Sequence, residues 1–370
     1  MKRICLYGSS ANLGGTEMYM ITIVRALKNK IVFDYLIHHA CGKIPFEDEI
    51  VSLGGKIYRE YYFNSERKNK DYISPQKIIE SHAEWDGIYI NVQRIHTAYR
   101  LLRVAKKAKL PFRIIHAHNN NYTSAISFKD KLYEKYFQFT KKSTITHYLA
   151  CSKGAGEWMF GQNINTIVIP NAIDFKKFQI DEFVRDYMRK KYEICNETVI
   201  VGFCGRLCYQ KNPEFLIDIL ISIKTIPQCK LLVIGDGELL EVMKSRVIKE
   251  KIEEKVIFAG ATDNVQDYYQ MMDCFVLPSR FEGFGIVLLE AQAAGLRCYT
   301  TDKVVPYETN VTGRVTFISE KNSAEEWAEQ IVEGGFDRVS CLEKLEKSDY
   351  SLSNMQKKLL NLFGLCDSEG

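Results

Sequence analysis

Glu282 and Glu290 bracket the run Phe281-Glu282-Gly283-Phe284-Gly285-Ile286-Val287-Leu288-Leu289-Glu290-Ala291-Gln292-Ala293-Ala294-Gly295. Most of the run is apolar and reads as a buried helix beginning near Gly285. A buried carboxylate without a partner is costly, so both glutamates need donors. Gly283 and Gly285 leave backbone N–H groups open at the helix start, where an anion is favoured. Hydroxyls supplied beside a phosphate describe a nucleotide sugar. Glu290 would accept from two ribose hydroxyls, and Glu282, in the preceding loop, from hydroxyls of the sugar. The plainer alternative makes Glu290 a half-exposed helix residue.

The run Gly202-Phe203-Cys204-Gly205-Arg206-Leu207-Cys208-Tyr209-Gln210-Lys211-Asn212 follows a strand and ends at a helix. Two separated cations on such a loop suit a diphosphate, with Arg206 gripping it bidentately and Lys211 acting as a point charge. The Gly-Lys-Ser/Thr ending of a Walker loop is absent. Two solvated surface cations are the alternative, and the nearby glutamates favour phosphate. After the first strand, Gly14-Gly15 allows close backbone approach to a phosphate or sugar ring. Its spacing does not match Gly-x-Gly-x-x-Gly, which argues against a nicotinamide site.

His116 and His118 lie two apart at a strand end and face the same way. No third ligand of suitable spacing is visible and no Asp-x-Asp occurs, so no metal is expected. A single polar histidine is the better reading, with His118 nearer the strand end; a structural histidine is the alternative. Arg94, Arg100, Arg103, Lys106, Lys107 and Lys109 crowd one expected helix. Lys129, Lys131, Lys135, Lys141 and Lys142 interleave with Tyr133, Tyr136, Phe137 and Phe139 in another. Such faces can lie on an anionic membrane surface or simply be solvated. Nothing resembles a nucleic-acid-binding module.

The elements that must hold these residues follow from the pattern. At 370 residues the chain is too long for one ordinary core, so two domains are expected. Short apolar runs alternate with helical stretches, the mark of parallel α/β architecture. Strands are expected at Arg3–Tyr7, Phe33–His39, Lys56–Tyr61, Gly87–Asn91, Phe112–His118, Ile145–Cys151 and 168–170. A second round is expected at Thr198–Cys204, Lys230–Ile234, Lys255–Phe258, Cys274–Leu277, Cys298–Thr301 and Val315–Ile318. Helices fill the intervals, including 94–109, 122–141 and 285–294, and Asn171–Asp181 reads as a hinge. Two doubly wound halves would place a ligand in a cleft at the carboxyl ends of their strands.

Composition narrows the class. Apolar residues make up 46% and charged residues 26%, ordinary for a soluble protein. The eleven cysteines have no regular spacing and no Cys-x-x-Cys, which suggests reduced thiols in a cytoplasmic protein. No signal peptide or transmembrane stretch is expected. The net charge of +4 hides +11 over residues 1–170 and −7 over the remainder, and all seven histidines lie in the first part. The basic half is expected to meet something anionic.

Together these residues resemble the family 4 retaining glycosyltransferases of GT-B fold, most closely bacterial enzymes that build capsule, exopolysaccharide or O-antigen. The resemblance rests on the Gly14-Gly15 loop, His118, Cys151-Ser152-Lys153, Ile169-Pro170-Asn171-Ala172-Ile173-Asp174, Gly205-Arg206 through Lys211-Asn212, Ile234-Gly235-Asp236-Gly237, and Glu282 to Glu290. Ala172 stands where the family usually has glycine, and residues 40–110 match nothing.

The resemblance implies two Rossmann-like doubly wound parallel-sheet domains facing across a cleft. Residues 1–171 would bind acceptor and 172–350 the nucleotide sugar, with a C-terminal helix in 351–370 crossing back to the N-terminal domain. Arg206 and Lys211 would hold the donor diphosphate, Glu290 the ribose, and Glu282 with the backbone at Phe284, Gly285 and Ile286 the donor sugar. Gly14 and Gly15 would approach the diphosphate, and His118 would sit near the reacting carbon. The implied activity is metal-independent, retaining transfer of a hexose-type sugar, from UDP rather than GDP, to a lipid-diphosphate-linked saccharide, by a cytoplasmic protein at the inner membrane face. No cofactor is implied. A nucleotide-sugar 2-epimerase of the same fold, or a non-catalytic nucleotide-sugar-binding subunit, is the alternative.

Overall fold

The computed structural model describes residues 1–11, 15–38, 42–60, 74–92, 95–118, 132, 135–136, 142–282 and 284–365. Gly14, Gly283, Arg94, Asn119 and nearly all of the second basic segment, 122–141, lie outside them. The chain divides into two compact units, Met1–Ala172 with Ser353–Gly370, and Ile173–Leu352.

The first unit holds β1 (Lys2–Tyr7), β2 (Ile31–His38), β3 (Ile57–Glu60), β4 (Gly87–Asn91), β5 (Phe112–Ala117), β6 (His147–Ala150) and β7 (Ile167–Val168) in the order β3-β2-β1-β4-β5-β6-β7. The second holds β8 (Val199–Cys204), β9 (Cys229–Ile234), β10 (Val256–Gly260), β11 (Cys274–Leu277), β12 (Arg297–Thr301) and β13 (Val315–Ile318) in the order β10-β9-β8-β11-β12-β13. All these pairings are parallel. Helices cover such sheets on both faces, which is why β4 and β11 are buried at every residue and, Asn91 apart, read as apolar runs. The strands fall within two residues of their expected bounds.

In each unit the winding reverses once, between β1 and β4 and between β8 and β11. Successive connections diverge there and leave the carboxyl ends of the strands uncovered. The opposite side is closed by buried aspartates. Asp34 accepts from Arg3 Nε at 2.6 Å and Nη2 at 2.7 Å, from Trp85 Nε1 at 2.7 Å and from Lys56 N at 2.8 Å. Asp273 accepts from Arg185 Nη2 at 2.5 Å, Arg189 Nη1 at 3.3 Å and Ile200 N at 2.7 Å. Each carboxylate is fully partnered, as a buried charge must be.

Three details refine the expectation. The unit boundary falls between Ala172 and Ile173, inside the expected hinge 171–181, and from Ile173 onward the segment belongs to the second unit, with Ile173, Phe175 and Phe178 in its core. The helix Glu182–Lys191 was not anticipated: Val184 and Met188 lie one turn apart on its inner face, but six of its ten residues are charged and one of these, Arg189, is buried. Short helices Glu47–Ser52 and Leu342–Glu346 were also missed. The helix Leu352–Leu362 packs within the first unit. Met355 and Leu359 are fully buried, Gln356 Nε2 donates to Ala26 O at 2.8 Å, and Phe363 meets the Phe112 ring at 5.2 Å.

Asp34→Ala should leave Arg3 and the Trp85 indole unpaired and destabilise the first unit by about 3–5 kcal/mol, read from urea unfolding. An unchanged transition would show that the anchor is dispensable.

Candidate active site

In the second unit the loop leaving β8 is fixed by backbone bonds to its neighbours. Gly205 N donates to Ile234 O at 3.0 Å, and Leu207 N to Asp236 O at 2.9 Å. Gly235 must be glycine on two counts: its φ is +130°, and a Cβ there would lie 2.0 Å from Gly205 O. On the other side Arg280 N donates to Gln210 O at 2.8 Å, Gln210 Nε2 to Phe281 O at 3.0 Å, and Arg280 Nη2 to Asn212 Oδ1 at 2.8 Å. The loops after β8, β9 and β11 are therefore one bonded layer around the switch point.

Lys211 and Glu282 form an ion pair on that layer, 17% and 9% exposed, with Ser279 Oγ also donating to Glu282 Oε2 at 3.3 Å. The stem of Lys211 passes over Gly205. Arg206 is 76% exposed and only 3.6 Å from Glu238. Such an exposed pair contributes little, so the guanidinium is available to an anion. Gly285, at φ +77°, turns the chain into the helix Ile286–Ala293. A Cβ there would meet only ordinary contacts, so backbone conformation rather than space calls for glycine. Phe284 and Ile286 are half-buried on either side, with the Phe284 ring 4.8 Å from Tyr350. The first N–H groups of that helix lack intrahelical acceptors.

Glu290 projects from the same helix and accepts from Tyr269 Oη at 2.9 Å. Burial pushes its carboxyl up to about 7, opposed by the tyrosine hydrogen bond. Cys204, at the end of β8, feels both neighbours: burial and the Glu290 charge push its thiol up to about 12, while Lys211 pulls the other way. Arg206, Lys211, Glu282, Phe284, Gly285, Ile286 and Glu290 thus occupy adjoining loops at one switch point. A pair of cations, two carboxylates and open N–H groups can hold a diphosphate with hydroxyls attached. Tyr269 and Ser279 complete the carboxylates' surroundings; the sequence offered no signal for either.

In the first unit, the helix Gly15–Leu27 opens at Gly15, which is exposed and has open space where a Cβ would be. Glu17 accepts from Ser10 N at 2.9 Å and Ser10 Oγ at 2.8 Å, tying the preceding loop to this helix. His116 and His118 lie with rings 4.2 Å apart. His116 is wholly buried, with Nδ1 2.8 Å from Tyr89 Oη, which is itself 2.8 Å from Tyr19 Oη. It is a core group rather than a ligand-facing one. His118 is partly buried, and Nε2 lies 2.8 Å from Asn91 Oδ1. Burial pulls it down to about 4, opposed by the Asn171 side chain. It is a neutral imidazole at pH 7.

A seven- and a six-stranded parallel sheet, each with helices interleaved, fit the two-domain α/β GT-B architecture. Residues 184–333 match the family described as Glycosyl transferases group 1. Over nearly its whole length the chain is 26% identical to a putative glycosyltransferase EpsF of Bacillus subtilis, covering 98% of this chain and 97% of that protein. It is 30% identical to an Escherichia coli UDP-Gal:alpha-D-GlcNAc-diphosphoundecaprenol alpha-1,3-galactosyltransferase over 36% of each chain. The fold matches that of Anabaena Alr3699/HepE in complex with UDP and glucose, with a TM-score of 0.77 at 17% identity over 99% of this chain and all of that one. The chain is a glycosyltransferase with the two-domain GT-B fold that matches the group 1 family over residues 184–333, and its relatives include a protein named for capsular polysaccharide biosynthesis.

Glu290 gives a pH test. Its carboxyl titrates near 7 in the folded protein and near its ordinary 4.5 unfolded. The native state therefore holds the proton longer. The associated stability is fully present below pH 4.5 and is lost as pH rises through 7. Glu290→Gln removes that loss and should exceed wild type by about 1–3 kcal/mol at pH 8, with no gain at pH 4.5. Equal melting curves at pH 8 would refute the buried carboxylate.

Proposed function

We propose that the protein is a retaining glycosyltransferase moving a hexose-type sugar from a nucleoside-diphosphate sugar to a saccharide acceptor in cell-surface polysaccharide assembly. The observation that carries this reading is the arrangement at the second unit's switch point, where Arg206 and Lys211 share one loop with Glu282 and Glu290 opposite. Uridine is favoured as the base, because HepE is solved with UDP and with UDP-glucose and the Escherichia coli relative is named for UDP-Gal. That enzyme's name also supports an acceptor carrying a lipid diphosphate.

Glu290 takes the ribose hydroxyls. The diphosphate settles between Arg206, Lys211 and the N–H groups at Gly285 and Ile286, and competes with Glu282 for Lys211. The released Glu282 carboxylate accepts from the sugar hydroxyls. As the bond to the anomeric carbon breaks, negative charge grows on the departing phosphate oxygen, and Arg206 and Lys211 stabilise it. That same oxygen takes the acceptor hydroxyl's proton as the new bond forms on the face the diphosphate left. No carboxylate nucleophile is needed and no metal is assigned.

Membrane attachment at the inner face is part of the proposal. On the helix Ile95–Lys107 and just after it, Arg100, Arg103, Lys106, Lys107 and Lys109 are all exposed, a face suited to anionic headgroups. No helix among the described residues is long and apolar enough to cross a membrane.

With chelator present, wild type should transfer sugar from a UDP-sugar to an undecaprenyl-diphosphate-linked saccharide. Arg206→Ala and Lys211→Ala should each lower kcat by about 10²-fold or more without changing the circular dichroism spectrum. Full activity in both variants would remove the site assignment, and conversion of the donor without acceptor would point to epimerisation instead.

A further inference from the structure

The chain passes between the two units twice, at residues 172–173 and again at 352–353. Within the second unit the residues beside these passages are clamped to one another. Ile173 N donates to Tyr350 O at 2.9 Å and Leu352 N to Ile173 O at 3.2 Å, which makes a parallel bridge between Ile173 and Ser351. Ile173 and Ser351 are both buried. Backbone hydrogen bonds shielded from water persist, because opening them leaves buried polar groups unpaired.

Tyr350 also reaches the loop before the helix Ile286–Ala293. Its ring lies 4.8 Å from that of Phe284, the two planes tilted by 38°. Both residues are half-buried against the second unit's core. Phe284 comes two residues after Glu282 and directly before Gly285, whose φ of +77° sets the turn into the helix. On one side of Phe284 the chain is fixed by that turn, and on the other by the ion pair of Glu282 with Lys211. In the proposed complex the diphosphate draws Lys211 from Glu282. A loop this short cannot release Glu282 without disturbing the packing of Phe284 on Tyr350. Three links, a loop, a ring contact and a backbone hydrogen bond, therefore join the Lys211–Glu282 pair to the clamp.

We propose that Tyr350 is a positioning residue: its ring, held by the clamp at Ile173, backs Phe284 and so sets the loop that binds the donor, and the firmness of the clamp depends in turn on whether that loop is occupied. Linkage makes the effect reciprocal, since a clamp that tightens on nucleotide binding also tightens the binding. One aromatic pair limits the coupling to about tenfold. The nucleotide's part rests on the transferase reading above. The bracing of the clamp by the two rings does not, because it belongs to the unliganded protein.

Hydrogen–deuterium exchange on the full chain tests both parts, read at peptides that carry the Ile173 and Leu352 amides. Without ligand, Phe284→Leu alters neither clamp strand, yet should speed exchange at those amides by about three- to tenfold while leaving β9 unchanged. Tyr350→Leu should do the same, Tyr350→Phe should match wild type, and the double leucine variant should be no faster than either single one. Adding UDP should slow exchange at the clamp in wild type and in Tyr350→Phe. It should not do so in Tyr350→Leu, whose Kd for UDP should rise by up to about tenfold. Unchanged clamp amides in unliganded Phe284→Leu, equal acceleration in β9, or additive effects in the double variant would overturn the proposal. So would UDP binding that leaves the wild-type clamp as it was. Should the clamp respond to the substitutions while wild type binds no UDP, the transferase reading would fail and the bracing role of Tyr350 would stand.

Discussion

Parallel strands wound outward in two directions from a central pair cannot be covered at the point where the winding turns. This constraint governs both units. After β1 and β4 in one, and after β8 and β11 in the other, the backbone has polar groups to satisfy and no following strand beside it. The side chains assigned to chemistry gather there: His118 in the first unit, and Arg206, Lys211 and Glu282, with Glu290 on the helix beyond, in the second. The structural charges sit toward the other side of each sheet, where Asp34 and Asp273 are surrounded by donors.

The two kinds of charge differ in how completely they are satisfied. Asp34 and Asp273 accept from several groups each and have nothing left to offer. Glu282 and Lys211 hold one another, and Glu290 has a single tyrosine partner and a carboxyl pushed to about 7. Groups left in that condition are strained toward a ligand that can do better than the resting contacts. In the proposed complex a diphosphate would offer Lys211 more charge than one carboxylate does, and ribose hydroxyls would offer Glu290 donors beyond Tyr269.

Much of the fold was legible because buried parallel strands tend to be continuous apolar runs, and β8 and β11 are. The loop from Gly205 to Asn212 and the run from Glu282 to Glu290 were legible because cations, glycines and carboxylates are conspicuous beside apolar sequence. Other features were not. The helix Glu182–Lys191 carries only a short apolar pair, Val184 and Met188, among six charged residues, and one of these, Arg189, is buried against Asp273. Tyr269 reaches Glu290 from a different helix, 21 residues earlier in the chain, and a buried tyrosine looks like any other core residue in sequence. Asn91 is an unremarkable strand end until the fold sets it beside His118. What sequence cannot show is which side chains from separate elements meet, and the finer parts of the site depend on that.

Diffraction from crystals grown with UDP and chelator tests the central claim most directly. The account predicts the diphosphate within hydrogen-bond distance of Arg206 and Lys211, Glu282 released from Lys211, and the ribose hydroxyls on Glu290. Nucleotide bound elsewhere, or the Lys211–Glu282 pair intact beneath a diphosphate that neither residue touches, would contradict it.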